Sequence, residues 1–207
     1  MTRSWTLGHL AQQTEQHHAM ADGDRLSILE KPSVDRYRRY LAQIYCFEAP
    51  VERACIATDG IPNALLRTHL KTARLAADLG TLGFDASDAL PVEVPRFEDR
   101  IDALAWLWVL QRNTLLHGLV YRYLRDKLGE PIVTGGSYLC AFEGCAGVLM
   151  RELGAVLDAV ANRVSTAERI VASAKSAFRA QRQWYSCDLL SPKRPPVTPT
   201  APRTRAA

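Results

Sequence analysis

From Ile101 to Leu128 the chain carries a helical hydrophobic pattern that stops at Gly129 and is followed by Pro131. Its first half, Leu104 to Leu110, is apolar nearly all round, which a helix tolerates only when it is buried in the middle of a bundle. Four polar residues then interrupt it, Gln111, Arg112, Asn113 and Thr114, before Leu115 and Leu116 resume the apolar run with His117 and Gly118 behind them. The polar turn thus falls inside the buried span. Each side chain there needs a partner, because an unpaired buried polar group costs ~1 to 3 kcal/mol. The turn is expected either to meet a neighbouring helix or water, or to line a ligand cavity between helices.

The remaining patterns are also helical. Trp5 to Asp22 reads as a first helix that sets Leu10, Thr14 and His18 at four-residue steps on one face, ended by Asp22, Gly23 and Asp24. Pro32 and Ser33 open a helix whose buried side is Tyr37, Tyr40, Leu41, Ile44, Tyr45 and Phe47; Pro50 is expected to interrupt it, with a restart over Val51 to Ala57. Asn63 to Leu79 follows, with Leu65, Leu66, His69, Ala73 and Ala76 inside and Gly80 as the stop. Thr81 to Phe97 holds Pro91, Pro95 and several acids without a helical period, and is the long loop. Tyr138 to Val160 is expected to be one helix, with Gly144, Gly147 and Gly154 spaced to admit a neighbour. Ser165 and Glu168 have the spacing of a capping box at the start of a last helix that runs to Trp184. No segment alternates with period two, so the expected fold is all-α, with six or seven helices.

Composition adds bounds. The net charge of +4 comes from Lys193, Arg194, Arg203 and Arg205 in a proline-rich segment, Ser191 to Ala207, that has no acid; the body is neutral. A neutral body removes the electrostatic case for nucleic-acid binding. The tail lacks large apolar residues apart from Val197 and is expected to be disordered, which leaves residues 1–190 as one domain. Five scattered cysteines, with no secretory pattern ahead of them, suit reduced thiols in the cytoplasm. Cys140 and Cys145 have no companion pair at zinc-site spacing. The longest apolar run is Ala103 to Leu110, far short of the ~20 residues that span a bilayer, so no membrane association is expected.

Several separated stretches resemble one family. LAQQTEQHH, with Leu10, Thr14 and His18, YRRYLAQIYCFEAPVE, with Pro50 and Glu52, ALAWLWVLQRNTL and IVASAKSAFRAQRQW are similar, in order and separation, to segments of the heme oxygenases. The likeness covers about residues 8 to 186 and is closest to the bacterial enzymes found with bacteriophytochromes. The resemblance implies a helical heme oxygenase fold in which His18 is the proximal ligand to heme iron. It also implies that Lys175 and Arg179, one turn apart, meet the heme propionates. A neutral imidazole is a suitable axial ligand, and cation-to-carboxylate pairing has a defined physical role. The implied reaction is oxidation of heme by O2 to biliverdin, carbon monoxide and ferrous iron. Its electrons come from a separate reductase, and a bacteriophytochrome is the possible acceptor of the product.

The distal helix departs from the family. Arg112, Leu116 and His117 stand where the family has glycines, and Asn113 where it has a polar residue that joins a water network. Glycine there lets bare backbone approach the heme and leaves room for bound O2. Side chains at these positions are expected to narrow or fill that space, with Asn113 as a water holder and His117 as a conceivable second axial ligand. A heme or tetrapyrrole carrier or sensor without turnover is therefore the alternative to the enzyme. A di-iron oxidase is disfavoured, since only Glu15 and His18 have Glu-x-x-His spacing. An interaction module without any cofactor is the third reading, which fold alone does not exclude.

Overall fold

The structure is a computed structural model that describes residues 4–86, 91 and 93–185. The basic tail, Cys187 and part of the long loop lie outside the described residues. In chain order the helices are α1 (Trp5–Gln13), α2 (Glu15–Leu26), α3 (Val34–Ile56), α4 (Asn63–His69), α5 (Thr72–Thr81), α6 (Arg100–Asn113), α7 (His117–Leu128), α8 (Glu130–Thr134), α9 (Ser137–Cys140), α10 (Ala146–Val160) and α11 (Val164–Tyr185). Short 3-10 turns stand at Ser27–Leu29 and Thr114–Leu116, and no strand occurs among the described residues. Several of these are segments of one run, so the eleven helices reduce to the expected all-α arrangement with local breaks.

The expected central helix is central, and it is bent where its polarity changes. Ala103 to Leu110 are all at most 3 % exposed, and α6 packs against α11, α3 and α10. Apolar side chains on every face are matched by helices on every side. At the polar turn the chain tightens into the 3-10 segment before α7, with the Thr114 hydroxyl donating to the Gln111 carbonyl at 2.6 Å.

Four other boundaries differ from expectation, each for a physical reason. The first helix breaks at Thr14, whose hydroxyl donates to the Leu10 carbonyl at 2.7 Å, a back-bond that bends helices. It then runs through Asp22, Gly23 and Asp24 to Leu26, because both acids are paired with arginines of other helices and Arg25 is buried. The long α3 passes through Pro50 without interruption. The missing proline N–H removes one local bond, but Phe47 and Val51 on either side are fully buried and packing holds the helix together. The Asn63 to Leu79 run is divided at Leu70, which is extended, and the new start resets the helical phase: Ala73 is exposed, while Leu75, Asp78 and Leu79 turn inward. Glu52 enforces that break, accepting the Lys71 N–H at 2.9 Å and the Thr72 N–H at 3.2 Å as a cap on α5.

At the other end of the chain, Tyr138 to Val160 is likewise two helices. The turn between them carries Gly144 at φ 75°, in the left-handed region that glycine adopts freely. Of the three glycines in that stretch, Gly154 provides the close approach: a Cβ there would come within 2.5 Å of Leu7 on α1. The last helix starts at Val164, so Ser165 lies inside it and not at the cap.

The buried apolar residues form two clusters, one around α6 and α11 and one where α3 meets α5, α7 and α9, and a buried polar cluster is centred on Glu48 of α3. Glu48 of α3, wholly buried, accepts from Arg25 of α2 at 2.9 Å and from the Tyr138 hydroxyl of α9 at 2.9 Å. Its other oxygen is 3.4 Å from the Lys71 ammonium, which also donates to the Leu110 carbonyl at 3.0 Å. His117 completes the cluster, with Nε2 3.4 Å from Arg25 and its ring packed 4.6 Å from that of Tyr138.

Two predictions follow from this cluster. Glu48→Gln leaves two buried cations without their shared counter-charge and is expected to lower unfolding free energy by ~3 to 5 kcal/mol, read from urea denaturation. The second concerns pH: burial, then the charges of Arg25 and Lys71, hold the pKa of His117 well below 6.5. Below pH 6.5 the unfolded chain takes a proton that the folded chain refuses, so stability is full above that pH and falls as pH drops beneath it. His117→Gln should flatten that fall by up to ~1.4 kcal/mol per pH unit, measured as unfolding free energy between neutral and mildly acidic buffers.

Candidate functional site

His18 lies one turn past the Thr14 kink, in the first half of α2, and its backbone N–H donates to the Thr14 carbonyl at 2.9 Å. Leu10 and Thr14, its neighbours at four-residue steps, are fully buried and fix that face of the helix inward. The imidazole itself is half-buried. Neither ring nitrogen has a hydrogen-bond partner among the described residues. Burial, and then the charge of Arg112, push its pKa below 6.5, against the opposing pull of Asp22 and Glu15. The ring is therefore neutral at pH 7 and presents a lone pair.

Arg112, in the last turn of α6, reaches α2 and forms a two-pronged ion pair with Asp22, both Nη atoms engaging both carboxylate oxygens. Asp22 is four residues beyond His18, on the same side of α2. Both side chains keep some exposure, 15 % for Arg112 and 22 % for Asp22. α2 and α6 each pack on α11, and this pair joins them side chain to side chain.

The other residues of the polar turn diverge. Asn113 is wholly buried and donates from Nδ2 to Gln181 Oε1 of α11 at 3.0 Å. Gln111 donates to the Thr114 hydroxyl at 3.2 Å, keeping its amide within the turn. Leu116 is half-buried, whereas His117 turns away from His18 into the Glu48 cluster. His117 is thus not brought to the site, and the conceivable second axial ligand is a core residue.

On α11, Lys175 and Arg179 stand one turn apart as expected. Lys175 has no ion-pair partner among the described residues, and Arg179 makes a contact of 2.9 Å to the Ser176 hydroxyl. Both lie close enough to His17 to help lower its pKa after burial does so, and the His17 ring runs parallel to that of Phe178 with centroids 6.4 Å apart. The structure therefore gathers His18, Asp22 and Arg112 in one place, sets His17 of α2 near Lys175 and Arg179 of α11, and holds Asn113 in a separate buried contact. Asp22, His17 and Gln181 were missed from the sequence. Only Asp22 carried a signal there, its four-residue distance from His18.

Among the described residues no group of histidine, cysteine and carboxylate side chains has the arrangement of a protein-built metal site, and no helix is long and apolar enough to cross a membrane. No curated protein matches the chain. The family model described as heme oxygenase matches residues 6–186, which include every helix from α2 to α11 and all but the first residue of α1. That match, on an all-α fold that sets an unclaimed neutral histidine opposite the end of the buried α6, means that the chain belongs to the heme oxygenase family.

Proposed function

We propose that this protein binds heme, with His18 as axial donor to the iron and Lys175 and Arg179 as partners of the propionates, and that it holds the group without cleaving it. The observation that carries this reading is the half-buried, neutral imidazole with both nitrogens unclaimed. A partly exposed neutral ring whose nitrogens meet no partner among the described residues is open to a ligand from outside. The proximal side and the cations of α11 fit heme. Arg112 spans to α2 and His117 is drawn into the core, which supports a distal side without open space for O2.

Bound heme would supply a redox-active iron able to take small ligands. This chain's own residues do the rest. Burial keeps His18 unprotonated at neutral pH and thus ready to ligate. Lys175 and Arg179 offer charge at one helix face, which orients a dicarboxylate by its acidic edge. Asn113 is fixed by Gln181, and an amide so held is a poor conductor of protons.

Oxidative cleavage to biliverdin, carbon monoxide and ferrous iron is the second reading, and the family match favours it. Under that reading O2 is co-substrate, a separate reductase donates electrons, and a bacteriophytochrome-type acceptor in the cytoplasm takes the product, in keeping with the likeness to the phytochrome-associated enzymes.

The test is a hemin titration followed by absorption, repeated on His18→Ala, and then addition of a reductant under air. A one-to-one complex weakened by at least ~100-fold in His18→Ala, stable to reductant, is the expected result. Because the His18 pKa is lowered from the usual histidine value, affinity should begin to fall at a lower pH than it would for an unperturbed imidazole ligand. Conversion to a biliverdin band would establish turnover, and no complex at all would overturn both readings.

A further inference from the structure

Resting on the heme-binding reading, we infer that Arg112 is a side-chain gate over His18: its ion pair with Asp22 closes the approach between α2 and the α6–α7 corner and must open before a flat ligand lies against the imidazole. The pair has the marks of a contact that is made to open. It is two-pronged, which gives it a defined geometry, yet it is partly exposed, so water compensates the groups when they separate. It also sits beside the ring: Asp22 stands one turn beyond His18 on the same side of α2, and Arg112 reaches it from the end of α6.

The pair neutralises Asp22 but is not the main hold on α2. That helix is already fixed by the fully buried Arg25–Glu48 bridge at 2.9 Å, by Asp24, which accepts from Arg182 of α11 at 3.0 Å, and by burial of Ala21. A fourth tie, placed one turn from His18, which is half-buried like its neighbour His17, adds little to the fold and much to the control of access. Arg112 has somewhere to go as well. At the C-terminal end of α6 its long side chain can swing outward to water while its charge still favours the helix end.

The gate is tested by stopped-flow mixing with hemin, reading the association rate from the absorption change, on the wild type, Arg112→Ala, Asp22→Asn and the double variant. Circular dichroism and thermal unfolding of each check that the fold is kept. Either single substitution opens the same pair, so each is expected to raise the association rate by about tenfold, and the double variant to gain no more than either one. Additive gains would overturn the gate in favour of two independent charge effects. Unchanged rates in Arg112→Ala, with hemin bound by the wild type, would overturn it while leaving the heme-binding reading in place. Failure of both the wild type and Arg112→Ala to bind hemin would remove that reading, and the gate with it.

Discussion

Glu48 places a carboxylate in the interior and answers it from three directions. Arg25 comes from α2, Lys71 from the start of α5 and Tyr138 from α9, so that elements far apart in the chain converge on two oxygen atoms. An interior charge is tolerable only when its partners are all in position, which makes the arrangement all-or-nothing. Apolar packing on either side would accept small shifts in register; this cluster does not. It sets where α2 ends relative to α3, and thereby where His18 and Asp22 stand relative to α6.

The polar turn after α6 distributes its side chains in a way that explains why the turn is buried at all. Arg112 goes to α2, Asn113 to α11, Gln111 and Thr114 to each other, and His117 to the Glu48 cluster. One interrupted turn thus ties three neighbours. In a protein with glycines at these positions the same turn would expose backbone to whatever lay beneath it. Here the turn's side chains make those contacts instead, and Arg112, paired at a partly exposed position, keeps a partner that water can replace.

Much of the fold was legible in the sequence because it rests on periodicity. The all-round apolar run from Leu104 to Leu110 could only be an internal helix, and the polar residues after it could only be a buried interruption. What escaped was set by contacts between distant residues. Pro50 does not break α3, since burial of Phe47 and Val51 outweighs one lost hydrogen bond. Asp22 and Asp24 do not end α2, since arginines from α6 and α11 neutralise them. Leu70 does break a run with no proline or glycine in it, because the Glu52 carboxylate, eighteen residues earlier in sequence, caps a new helix there. At the site, the type and position of His18 and Arg112 were visible, but not that Arg112 would cross to the helix that carries His18; nor could spacing reveal that His117 turns inward to Arg25.

The anchoring of α2 by Arg25 has a bearing on tempo. A helix whose end is locked to a buried carboxylate is not free to swing, and rigid-body movement of such an element belongs to microseconds or longer. A partly exposed arginine side chain, by contrast, changes rotamer in roughly picoseconds to nanoseconds. Any rearrangement of Arg112 beside His18 can therefore run at the pace of one side chain while α2 stays still, without the backbone having to take part.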